Sequence, residues 1–258
     1  MRVITLVECC IAAHLSSRVS GPYKERGGLM FVAPPGQWKS TVIEVSTEHY
    51  SDSIVLSDVN VQTLNAMHDE LGQKINTLAF PAFEKIYERN PQTSANIEGH
   101  IKALVAEGLS LASFEDQRMP GSYKARSLVI GGIPPVVHRR RFADWRDNGF
   151  YRRFIWSFFH FKDPRVIIDA IHLWQKIDLD FDIPIVPSKD LVLDMSPAES
   201  EKLFRMLKAQ GGEAIPLVLL KKMFCVLRWR HKKDPLQPMK IMEDFATSLG
   251  KSPAELVI

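Results

Sequence analysis

The sequence predicts an α/β fold, a mostly parallel β-sheet flanked by helices and followed by a helical C-terminal part. Two observations carry this. Between residues 28 and 161, short apolar runs of strand length alternate with stretches of helical spacing, the pattern of a parallel sheet covered on both faces. Beyond Asp163-Pro164 the strand-length runs stop and helical patterns follow. With 258 residues, 45% hydrophobic and 24% charged, the chain has an ordinary globular composition and enough apolar material for a substantial core, which argues against large-scale disorder.

In chain order, residues 3–17 have helical spacing, with Val3, Leu6, Val7, Cys10, Ile11 and Leu15 on one broad face. Gly21-Pro22 ends this helix. A short buried strand is expected over 29–32, broken by Ala33-Pro34-Pro35-Gly36, with a helix over 39–45 opening directly behind the turn. A second strand over 53–57 ends at Asp58 and precedes a helix over 61–71. The third apolar run, 77–80, is closed by Pro81, and helical spacing returns over 83–89 and 95–108. Residues 111–115 and 125–131 are expected to pair as an inserted β-hairpin around Pro120-Gly121. Its second arm runs into the apolar SLVI strand. A last strand-length run covers 154–161, and helices are expected over 165–176, 197–209, 216–230 and 239–249. An α/β core over 1–162 and a helical part over 163–258 follow from this, with the boundary near 162–164.

The net charge of +3 is too small to imply a partner by itself, although basic residues cluster locally. Cys9, Cys10 and Cys225 are an odd number, two of them adjacent in an apolar helix. They read as reduced, buried thiols, and no spacing suggests a zinc site. The apolar start is short and interrupted by Glu8 and His14, which suits neither a signal peptide nor a membrane span. A cytoplasmic protein of a bacterial or infected-host cell, with no membrane partner, is expected.

The stretch Ala33-Pro34-Pro35-Gly36-Gln37-Trp38-Lys39-Ser40-Thr41 sits between a strand and a helix. Backbone N–H groups at a helix N-terminus form an anion site. There a lysine adds charge against phosphates, and the next hydroxyl residue can ligate magnesium. Lys39 and Ser40 occupy those places, so Ala33, Pro35, Gly36, Gln37, Trp38, Lys39, Ser40 and Thr41 are the candidate nucleotide-binding residues. Trp38 stands where the usual pattern has glycine. The lysine of an empty phosphate loop is expected to be exposed. An ordinary strand-to-helix turn is the competing reading.

From Gly28 to about Phe161 the chain resembles AAA+-like P-loop ATPases of phage and plasmid replication modules, through GGLMFVAPPGQWKST, IVLSDVNVQTL, LAFPAFEKIYERNPQTSANIEGHIKAL and LVIGGIPPVV followed by NGFYRRFIW. The hairpin before SLVIGG is similar to the pre-sensor hairpin of superfamily 3 and minichromosome-maintenance helicases. The resemblance implies ATP and Mg2+ as ligands and a homo-oligomeric ring, such as a hexamer. It also implies DNA contact through Arg118, Tyr123, Lys124 and Arg126 on the hairpin, and an arginine reaching a neighbouring subunit's γ-phosphate, with Arg153 first and Arg152 second. A nucleotide hydrolase of this type needs acids for magnesium and for the attacking water. Glu84 is the acid after the third strand, and Asp58 stands in for the missing metal-side aspartate beside Ser40. Asp58 reads equally as a helix cap, and Glu84 as an exposed helix residue. Gly131-Gly132 replaces the expected polar sensor. A second basic set, Lys221, Lys222, Arg228, Arg230, Lys232 and Lys233 around Trp229, reads as a solvated helix face or a phosphate-backbone contact. The expected function is an ATPase that acts on DNA. A nucleotide-dependent assembly factor with weak hydrolysis and a small-molecule kinase are the alternatives.

Overall fold

The computed structural model describes residues 3–48, 50–110, 124–163, 191–208 and 214–249, with positions 165, 169, 172 and 187. The strands are β1 (Val19–Ser20), β2 (Gly28–Val32), β3 (Ser53–Val55), β4 (Thr77–Phe80), β5 (Leu128–Ile133), β6 (Phe154–Phe158) and β7 (Leu191–Val192). Five of them form one parallel sheet in the order β3-β4-β5-β2-β6, while β1 and β7 pair separately.

Side chains alternate along these strands, and both faces are covered, so the strands read as continuous apolar runs. Leu29 and Phe31 of β2 join a cluster with α1 (Val3–Leu15), α2 (Lys39–Thr47), α6 (Pro197–Leu207), α7 (Ala214–Arg230) and α8 (Gln237–Ala246). Met30 and Val32 join the opposite cluster with α3 (Val61–Ala66), α4 (Pro91–Val105) and α5 (Pro135–Asp147). The C-terminal helices therefore share the core of the α/β part, and the expected division near 162–164 does not separate two cores.

The connections explain this distribution. From β2 the chain crosses one face through α2 to the edge strand β3. It then returns through β4 and β5 with α3 and α4 on the other face. Finally α5, on that same face, carries it past β2 to β6. Reversing the direction of travel along a parallel sheet moves the crossover helix to the opposite face. Neighbouring strands β2 and β5 thus send their following loops to opposite sides, which opens a crevice at their carboxyl ends.

Local chemistry sets the helix starts. Asn60 caps α3 by accepting from Thr63 N at 2.7 Å, and Asn90 caps α4 by accepting from Thr93 N at 2.9 Å, with Pro91 in the first turn. A reciprocal Ser196–Glu199 capping box opens α6. Asp58 caps no helix, since Asn60 holds that role. Helix α1 is buried on all sides apart from Ile4, rather than on one broad face, because it lies among α2, α7 and α8. Its polar residues are matched. Glu8 accepts from Arg230 at 3.1 and 3.2 Å and meets His231 at 3.3 Å. Burial pushes the Glu8 pKa up, but His231 and Arg230 outweigh it and hold the carboxyl at about 2. His14 bonds Thr77 Oγ1 at 2.9 Å and faces Asp52 at 3.2 Å. The three cysteines are buried and free, as expected.

Two expectations change. Residues 128–131 lie in the sheet centre, paired parallel with β2 and β4, and are not a hairpin arm. Among the described residues, the antiparallel contact at that place is a single bridge, Leu109 with Ala125. The expected first arm, Pro120-Gly121, Arg118 and Tyr123 lie outside the described residues, as does most of the expected helix over 165–176. Helix α5 was not anticipated, because its arginines hide a sparse buried set of Pro135, His138 and Trp145.

His138 is 1% exposed and sits among Phe142, Trp145, Tyr151, Trp156 and Phe158, with ring centroids 5.1 Å from Trp156 and 5.0 Å from Phe158. Neither ring nitrogen has a hydrogen-bond partner among the described residues. Burial pushes its pKa down to about 4. The folded state therefore favours neutral imidazole. The associated stability is complete above the unfolded value, about 6.5, and is lost as pH falls from there to about 4. Urea unfolding at pH 7 and pH 4 should show a loss on the order of 3 kcal/mol from this group, and His138→Phe should remove that part of the loss. Identical pH dependence in both proteins would contradict the assignment.

Candidate functional site

The crevice is built from the loop after β2, the first turn of α2, the turn after β4 and the end of β5. The phosphate-loop candidate occupies its centre. Ala33 N donates to Ile133 O at 3.2 Å, which ties the loop to β5. Gln37 is buried and clamps the loop to the end of the β6 segment. Its amide donates to Phe161 O at 3.1 Å, and its carbonyl oxygen accepts from Phe161 N at 2.6 Å. Gln37 thus serves as an anchor, while Pro35, Gly36 and Trp38 are exposed.

Gly36 has φ +77°, and Trp38 has φ 53°, the one non-glycine residue with positive φ among the described residues. A left-handed conformation costs an L-residue roughly 1–2 kcal/mol, and such costs concentrate at binding sites. Trp38 therefore holds a conformation that glycine adopts without strain, and it is 40% exposed.

Lys39 opens α2 and is only 9% exposed, in contrast to the exposed lysine expected. Burial lowers its pKa, and the charge of Glu84 opposes that shift. Glu84 lies in the 3-10 turn Phe83–Glu88 after β4. Its Oε2 is buried without a hydrogen-bond partner among the described residues. Ser40 Oγ donates to Pro81 O at 3.1 Å, which brings the first turn of α2 against the end of β4. The structure therefore gathers Lys39, Ser40 and Glu84, three residues from two distant segments.

The glycine pair of β5 has a packing cause. A Cβ on Gly132 would lie 2.8 Å from Pro81 O and 3.4 Å from Lys39 Cδ, and one on Gly131 would lie 2.7 Å from Met30 Sδ. The close approach of the β4 turn and of Lys39 leaves no room for a polar sensor side chain.

Asp58 accepts from Val59 N at 2.8 Å and pairs with Arg89 at 2.5 Å. It follows the edge strand β3, next to β4, whose end carries Pro81 and with it the Ser40 hydroxyl. Among the described residues, no group of three His, Cys, Asp or Glu could hold a metal ion.

The basic residues are mostly committed. Arg153, ahead of β6 at the amino end of the sheet, donates to Gly149 O at 2.6 Å and pairs with Glu107. Arg152 is the exposed member of the pair. Arg126 donates to Ala106 O at 3.2 Å and Glu107 O at 2.7 Å, whereas Lys124 is exposed. In α7, Lys222 is buried and donates to Tyr23 O and Glu25 O, Arg230 binds Glu8, and Arg228 donates to Asp194 O. Lys222 and Arg230 thus turn inward, while Arg228, Lys232 and Lys233 stay exposed. A cleft of about 380 Å³ adjoining the site was missed, lined by Glu84, Tyr87, Arg89, Arg140 and Arg141 among others. The signal was the arginine run, which reads as a site only once α5 is known to be a helix beside the β4 turn.

No protein-family model and no curated protein matches this sequence.

The Gly132 contact supplies a test of the site's geometry. Alanine in place of a strand glycine gains about 0.5–1 kcal/mol from the unfolded chain. Forcing a methyl group against a backbone carbonyl costs about 1–3 kcal/mol. The steric effect should win, so Gly132→Ala should lower the urea midpoint without changing the slope. A stabilised Gly132→Ala protein would contradict the close approach.

Proposed function

We propose that the chain binds a magnesium–nucleoside triphosphate, with ATP as the ligand, in the crevice between the loops after β2 and β5, and that it is an ATPase acting on DNA as a homo-oligomer. One observation carries the nucleotide reading: Lys39, at the N-terminus of α2 and the topological switch point of a parallel sheet, lies within the field of the half-buried Glu84, whose Oε2 has no hydrogen-bond partner among the described residues. Backbone amides from Gly36 to Ser40 and the Lys39 ammonium would bind the β- and γ-phosphates. A phosphate ligand also favours the charged form of Lys39, offsetting its burial. Ser40 keeps lone pairs while its hydroxyl donates to Pro81 O. It would hold magnesium as an oxygen ligand of the kind that ion prefers. When bound, the ion neutralises charge between phosphates. In hydrolysis, water attacks the γ-phosphorus, the bond to the β-phosphate oxygen breaks, and Glu84 accepts the water proton.

The wider parts of the proposal rest on fewer residues. Lys124 is exposed for DNA contact, and Arg152 is better placed than the paired Arg153 to reach a neighbouring subunit. The second reading, a nucleotide-dependent assembly factor with little hydrolysis, is favoured by the commitment of Asp58 to Arg89 and by Gly131-Gly132. No helix among the described residues is long and apolar enough to cross a membrane.

Lys39→Ala should weaken MgATP binding at least about tenfold, roughly 1.4 kcal/mol, in a calorimetric titration of protein shown by circular dichroism to be folded. Glu84→Gln should retain binding and lose turnover. Unchanged affinity in the first variant would overturn the site. Steady-state assays with and without DNA separate the two readings: acceleration by DNA supports the motor, and binding without turnover supports the assembly factor.

A further inference from the structure

The cleft of about 380 Å³ beside the phosphate loop has a chemistry of its own. The 3-10 turn Phe83–Glu88, the start of α4 and the helix α5 enclose it. Three arginines line it, Arg89 directly after the turn and Arg140 and Arg141 at successive positions of α5. Two carboxylates of the turn, Glu84 and Glu88, line it as well, and Tyr87 and Val137 supply apolar surface.

The arginines are held to different degrees. Arg89 pairs with Asp58 at 2.5 Å, and Arg141 pairs with Asp144 at 3.2 Å and lies 3.8 Å from Glu98. The Arg141 guanidinium carbon also stands 4.7 Å from the centre of the Tyr87 ring, which steadies the plane of its fork. Its Nε has no hydrogen-bond partner among the described residues. A guanidinium carries five N–H donors, so each of these pairs leaves donors to spare. Arg140 is exposed and makes no ion pair among the described residues.

Forks of this kind match phosphate oxygens in geometry as well as charge, and a phosphate dianion has oxygens enough for more than one fork. The carboxylates restrict the choice further. Glu84 is half-buried, and its Oε2 has no hydrogen-bond partner among the described residues. An ionised carboxylate repels a bare anion and accepts from a hydroxyl. A ligand that satisfies the whole lining therefore brings a phosphate for the arginines and hydroxyl donors for the glutamates. The volume suits a small molecule.

We propose that this cleft binds a small phosphomonoester that carries hydroxyl groups, a sugar phosphate by chemical class. Arg140 meets the phosphate together with Arg89 and Arg141, and Glu84 accepts from a hydroxyl. The site is distinct from the crevice at Lys39 and does not rest on the nucleotide reading.

Ribose 5-phosphate, titrated calorimetrically into the full chain in magnesium-free, low-salt buffer, tests the proposal. The titration is repeated in Lys39→Ala protein, which separates this site from the phosphate loop. Binding should persist there. Arg140→Ala, at an exposed position without an ion pair, should weaken it at least about tenfold and leave the melting temperature without ligand unchanged. Ribose and inorganic phosphate each carry half of the recognised chemistry, and both should bind at least about tenfold more weakly than ribose 5-phosphate. Absence of ribose 5-phosphate binding, its loss with Lys39→Ala alone, or equal affinity in Arg140→Ala protein would overturn the site. Inorganic phosphate bound as tightly as ribose 5-phosphate would overturn the role given to Glu84.

Discussion

The parallel pairing of β2 with β5 is the constraint on which the rest of the structure depends. Gly28 through Val32 stand in register with Val129 through Ile133, although about a hundred residues separate the two strands in the chain. Because β2 leads to α2 on one face and β5 to α5 on the other, the two loops diverge above adjacent strands. The crevice follows from connectivity before any side chain is considered. The register also sets what fills it. Ala33 N bonds Ile133 O, Gly132 stands under the β4 turn and Lys39, and Ser40 closes onto Pro81.

Charge is distributed unevenly over this frame. Glu8 meets Arg230 and His231, and Asp52 meets His14 and Arg18. Burial works against the ionised Asp52, but His14, Asn76 and Arg18 together hold its carboxyl well below the usual range. Such matched sets join segments far apart in sequence, and removing one partner would strand a buried charge. Lys39 and Lys222 are different. Each is a buried cation with a lowered pKa, one at either end of the sheet.

Much of the frame was legible in the sequence. The runs LMFV and TLAF are apolar because strands buried on both faces must be, and the Pro-Pro-Gly turn before Lys39-Ser40-Thr41 follows from local chemistry. The turn that carries Glu84 was legible from Pro81, which closes the third strand. Other features depend on contacts that no local pattern encodes. Asp58 reads from the sequence equally as a metal ligand or a helix cap, whereas Asn60 makes the cap and Asp58 meets Arg89, thirty-one residues later. Gly131-Gly132 looked like a missing sensor until Pro81 O and Met30 Sδ were seen to exclude side chains. Helix α5 went unnoticed because its buried face rests on His138 and Trp145 among arginines. Lys222 and Arg230 seemed to belong to a basic surface, since their partners, the carbonyls of Tyr23 and Glu25 and the Glu8 carboxylate, lie some two hundred residues earlier.

The central claim is that the loop over residues 33–40 is a phosphate site despite the tryptophan at its left-handed position. The most direct measurement is a crystal structure of the protein grown with magnesium and a non-hydrolysable ATP analogue at saturating concentration. The account predicts the triphosphate against the backbone amides of Gly36 to Ser40, with Lys39 Nζ within hydrogen-bond distance of its oxygens and Glu84 facing the terminal phosphate. An analogue seated elsewhere, with the loop and the Lys39–Glu84 pair unchanged, would contradict it.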